Sequence, residues 1–79
     1  MSATQHIDRS TVIKACDLAI PRLDEINKAG KIYRRGEIEA IREWARVRPP
    51  ITTSSMVELT FEMFTAIPPE AWEKAGAFG

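Results

Sequence analysis

The five prolines and four glycines of this chain decide how long its elements can be. Pro21 stands inside an apolar periodic stretch, Pro49-Pro50 and Pro68-Pro69 are adjacent pairs, and Gly30 and Gly36 bracket a short segment. Proline lacks the amide hydrogen that a helix interior or a central strand requires, and glycine favours turns and helix ends. No element can therefore run far. The fold has to be assembled from short pieces that hold one another by packing.

Between the breaks the apolar residues recur at helical spacing. Val12, Cys16, Ala19, Leu23 and Ile26 form a stripe, widened by Ile13 and Ile20, which predicts a helix near 8–29. Asp8 or Ser10 can cap it, because either side chain can accept from the exposed amides of a first turn. Pro21 would clash with the carbonyl of Asp17, so a kink or restart is expected there. Lys28 in the last turn and Gly30 beyond it end the element. Ile38, Ile41, Trp44 and Ala45 predict a second helix over 37–48. Glu37 and Glu39 lie at its positive end and Arg42, Arg46 and Arg48 at its negative end. Pro68-Pro69-Glu70 and Gly76 frame a helix near 69–75, too short to stand alone. Trp72 and Phe78 must then pack on this core or serve as anchors on another chain.

Residues 56–66 admit two readings. Ser55 and Glu58 fit a capping box, which favours a helix. Val57 to Met63 also alternates apolar with polar, as a half-buried strand would, with Lys31–Arg34 or Ile51–Thr53 as its only foreseeable partner. Residues 1–7 carry no periodic marker and are read as disordered. The expectation is an all-α domain, a bundle of three to four short helices spanning 1–79, becoming α+β only if residues 57–63 form a strand.

Size limits what such a chain can do alone. With 79 residues it buries only about 60–65% of its unfolded surface, so its stability is marginal. Cys16 is the only cysteine and His6 the only histidine, so neither an internal disulfide nor a Cys/His zinc site is expected. Self-association or a docked partner is the remaining supplement. The longest aliphatic run is Leu18-Ala19-Ile20, the N-terminus has no secretory pattern, and a lone cysteine suits a reducing compartment; a cytoplasmic protein without membrane contact is expected.

The chemistry-bearing residues are sparse. Cys16 lies in the apolar stripe and reads as a buried, inert thiol. His6 is a lone base near the terminus, and the serines have no nucleophile signature. Glu39 with Glu43 and Glu58 with Glu62 are best read as solvated faces, and no phosphate loop, cofactor fingerprint or metal motif occurs. An enzyme is not expected.

Charge points instead to contact. The eleven basic and eleven acidic residues cancel, but residues 28–35 hold Lys28, Lys31, Arg34 and Arg35 with no acid, while residues 49–79 hold Lys74 against four glutamates. Lys28, Lys31, Tyr33, Arg34, Arg35, Arg42 and Arg46 are the candidate contact set. One use is a phosphate ligand or nucleic acid gripped by the cations with Tyr33 stacking. A helix-turn-helix reading is weakened by Glu37, Glu39 and Glu43, which would repel phosphates, and by a long connector. The bland alternative is a solvated loop. The preferred reading is a non-enzymatic module that binds an acidic protein surface or a second copy of itself, given two tryptophans and several arginines. In size and lack of catalytic motifs the chain is similar to the small inhibitors that phages encode against host machinery, which implies an inhibitor or adaptor.

Overall fold

The structure, a computed structural model, describes residues 5–30, 32–49 and 55–78. The chain is mostly helical with one small sheet. In order it forms β1 (Gln5–Asp8), α1 (Arg9–Ala19), a 3₁₀ turn (Ile20–Arg22), α2 (Leu23–Asn27), α3 (Arg35–Val47), β2 (Met56–Leu59), α4 (Phe61–Thr65) and α5 (Pro69–Ala75).

Helix α1 is the hub, packed against both α3 and α5. It can serve two neighbours because its buried side chains are small. Val12, Ala15, Cys16 and Ala19 are all fully enclosed. They meet Ile38, Ile41 and Ala45 of α3, Ala71 and Trp72 of α5, and Ile7, Val57 and Leu59 of the strands in one continuous core. Pro21 acts where the sequence predicts. Helix α1 stops at Ala19, a 3₁₀ turn carries the proline, and α2 restarts at Leu23 with Asp24 and Glu25 in its first turn.

The sheet corrects two expectations. Residues 56–66 are not one helix: Met56–Leu59 is a strand, Thr60 caps a new helix, and only Phe61–Thr65 is helical. Residues 1–7 do not read as disordered throughout, because Gln5–Ile7 belong to β1; residues 1–4 lie outside the described residues. The partner that makes the strand possible is this N-terminal segment rather than residues 32–34, while residues 31 and 51–53 lie outside the described residues. The two strands are antiparallel, with Ile7 opposite Val57 and His6 opposite Glu58. A two-residue side-chain period puts Ile7, Val57 and Leu59 inward and leaves His6 and Glu58 outside, 3.4 Å apart. Burying those side chains outweighs the local capping preference of Ser55.

Asp8 joins the sheet to α1. Its carboxylate accepts from the Ser10 amide at 3.0 Å, as an N-cap does, and from the hydroxyls of Ser10 at 2.9 Å and Ser55 at 2.7 Å. The Arg9 amide donates to the Ser55 carbonyl at 3.0 Å. Ser55 thus closes the strand pair instead of starting a helix.

Candidate functional site

The connector between α2 and α3 is shaped by one amide. Gly30, at φ 108°, turns the chain out of α2 in a conformation that side-chain-bearing residues rarely adopt. The Tyr33 amide then donates to Asn27 Oδ1 at 2.8 Å, and Asn27 Nδ2 donates to the Tyr33 carbonyl at 3.2 Å. This two-way clamp fixes residue 33 with its side chain inward, where it is only 8% exposed. In an extended segment the neighbours of an inward residue point away. Ile32 is accordingly 76% exposed, and Arg34 is exposed as well. Tyr33 is therefore a core residue and offers no open face for stacking.

Helix α3 begins at Arg35, two residues earlier than the sequence pattern suggests, and this divides the candidate cations. Arg35, Arg42 and Arg46 follow one another along one side of α3. Two of them are already engaged: Arg35 Nε lies 3.3 Å from Glu39, and Arg42 Nη1 lies 2.9 Å from Asp17 of α1. Arg46 is exposed, and Lys28 is exposed at the end of α2. Lys31 lies outside the described residues. Arg34 faces a different region, a groove between the connector and α4. The cations that are contiguous in sequence do not form one surface.

That groove is a broad concave feature of the described residues. A hollow of about 480 Å³ is lined by Ile32, Tyr33, Arg34, Glu37, Glu62, Thr65 and Ala66. A second, of about 290 Å³, continues along α3 and shares Glu37, Glu62 and Ala66 with the first, adding Ala40, Ile41 and Met63. The groove runs beside α4, which is positioned by its own cap, by β2 and by a ring contact with α5. Thr60 Oγ1 accepts from the Met63 amide at 3.2 Å, and Phe64 stacks on Trp72 with ring centroids 5.1 Å apart. Its lining is mixed and more polar than apolar, with Ile32, Tyr33 and Ala66 beside Thr65 and the charged groups Arg34, Glu37 and Glu62. Among the described residues these three make no ion pair with one another.

The two tail aromatics part company. Trp72 is fully buried, and its indole Nε1 donates to the Phe64 carbonyl at 2.9 Å. It is a core residue, not an interface anchor. Phe78 is 61% exposed and meets Phe64 edge-on at 6.2 Å. The acidic tail is also partly neutralised from within, since Glu70 is 2.7 Å from Arg22 and 3.1 Å from Lys74. A hydrogen bond from Lys74 and the charge of Arg22 hold the Glu70 carboxyl below its ordinary value.

The catalytic candidates are poorly disposed for chemistry. Cys16 is fully enclosed, and burial, with the nearby Asp17 carboxylate, pushes its thiol up to about 12, so it stays protonated at neutral pH. Glu58 lies outside on β2, whereas Glu62 lines the groove, so the pair is not a site. Among the described residues no cluster of three or more His, Cys, Asp or Glu could hold a metal ion, and no helix is long and apolar enough to cross a membrane. The sequence reading missed the groove because its lining comes from three separate segments. One signal was present: Ile32 is a large aliphatic side chain set in a run of cations. Compared with known proteins, the chain matches no family model, no curated protein and no solved structure.

Proposed function

We propose that this chain is a non-enzymatic protein-binding module, and that its contact surface is the groove between the connector and α4 with Ile32 and Arg34 at its edge. The observation that carries this reading is Ile32. A large aliphatic side chain 76% exposed beside a 480 Å³ hollow is the arrangement that a protein partner covers favourably. The phosphate reading has less support, because Tyr33 is buried and Arg35 and Arg42 are held in ion pairs. The partner surface that fits best combines an apolar anchor for Ile32 with an acidic group for Arg34.

The test is capture from the source cells with three baits: the wild-type chain, Ile32→Glu, and Lys14→Glu as a control on the exposed side of α1. A protein retained by wild type and Lys14→Glu but lost by Ile32→Glu supports the reading. Equal capture by all three baits, or a nucleic acid as the retained species, contradicts it.

A further inference from the structure

We propose that two copies of this chain pair through the outer face of α3, antiparallel and related by a two-fold axis. This goes beyond the partner reading above and does not depend on it, since it concerns the purified chain alone.

The face in question is the one α3 does not use internally. Ile38, Ile41 and Ala45 point into the core and Arg42 reaches α1, while Ala40 is exposed, Trp44 is only half-buried and Val47 is 69% exposed. Its end charges are opposite in sign, with Glu43 exposed between them. Glu37 lies in the first turn with no ion-pair partner among the described residues. Arg48 lies just past the last turn, its guanidinium 5.8 Å from the Trp44 ring centroid and so on the same face.

These positions are self-complementary. An antiparallel copy centred between residues 42 and 43 sets Glu37 of each chain against Arg48 of the other, about 16 Å apart along the helix axis at either end. It also brings the bulky Trp44 of one chain to the small, exposed Ala40 of the other. The 290 Å³ hollow there, lined by Ala40, Ile41, Met63 and Ala66 with Glu37 and Glu62 at its edge, gives the Trp44 edge of the second copy a place to enter. A parallel pair would instead oppose Glu37 to Glu37 and Arg48 to Arg48, which costs free energy at both ends. Burying Val47 and the open edge of Trp44 supplies the attraction, and the paired charges set the direction.

The test is mass by light scattering across a concentration series, with circular dichroism to confirm that each variant is folded. Wild type is expected to approach twice the chain mass as concentration rises. Glu37→Arg and Arg48→Glu are each expected to remain at the chain mass, because like charges then face one another. Mixing the two variants is expected to restore the doubled mass, since each supplies the complement the other lacks. Should either charge variant lose its helical signal, Val47→Glu at that exposed position replaces it, with loss of the doubled mass expected. A wild type that stays monomeric, an assembly larger than two, a pair indifferent to the substitutions, or a mixture that stays monomeric overturns the proposal.

Discussion

Three residues show how differently burial, charge and backbone freedom contribute to this fold. Trp72 is fully enclosed, stacked on Phe64 and hydrogen-bonded to its carbonyl. Trp72→Ala is expected to cost about 3–5 kcal/mol, a large share of what a chain of this size holds in reserve. Urea unfolding measures it; loss of association without loss of stability would return Trp72 to the surface role first considered for it. Asp8 acts through charge. The Ser55 hydroxyl, then Ser10, holds its carboxyl below the ordinary 3.8. A lowered folded value means that the stabilisation is fully present above the ordinary carboxylate range and is lost as pH falls through the folded value. Asp8→Asn is therefore expected to melt below wild type at pH 7 and to converge with it only in acid below the lowered folded value of Asp8, where both side chains are uncharged. Gly36 acts through the unfolded state. It lies in the first turn of α3 without a positive φ, and a Cβ there would meet nothing within 4 Å. Gly36→Ala is expected to stabilise the chain by roughly 0.5–1 kcal/mol, whereas Gly30→Ala, at φ 108°, is expected to destabilise it.

At the scale of elements, α1 to α3 and α5 were legible in the sequence, whereas residues 56–66 were expected as one helix with a strand only as the alternative. Helix α3 carries its own evidence, a periodic apolar face with acids at one end and arginines at the other, and Pro21 announces the break that separates α1 from α2. Such signals are local. Strand β2 has a local signal too, the alternation from Val57 to Leu59, but a strand is stable only with a partner, and nothing in four residues names a partner some fifty positions away. The N-terminal segment qualifies only because Ile7 fits over Val57 once α1 is in place. Tyr33 is similar, since its burial depends on the clamp from Asn27 and not on any periodic pattern. The groove was invisible for the same reason, being composed of the connector, α3 and α4. One consequence is testable by truncation. Removing residues 1–7 strips Val57 and Leu59 of their cover and removes the Ile7 side chain, whose loss alone is worth about 2–5 kcal/mol. The shortened chain is expected to lose its cooperative thermal transition; a transition unchanged from full length would show that β1 contributes nothing.

At the scale of the whole molecule, the small side chains of α1 let α3 and α5 close on either side of it, while α4 is tied to α5 through Phe64 and Trp72 and stands off from α3. The groove and a set of internally paired charges, Arg22 with Glu70 and Lys74 with Glu70, share no residue. An account in which the chain works by direct contact must place the partner on the first of these and leave the second bare. The most direct measurement is an amide chemical-shift map of the isotopically labelled chain, titrated with the protein it captures. Shifts are expected at Ile32, Arg34, Glu62, Thr65 and Ala66 and none along Arg22, Glu70 and Lys74. Shifts confined to the Arg22–Glu70–Lys74 side, with the groove residues unmoved, would contradict it.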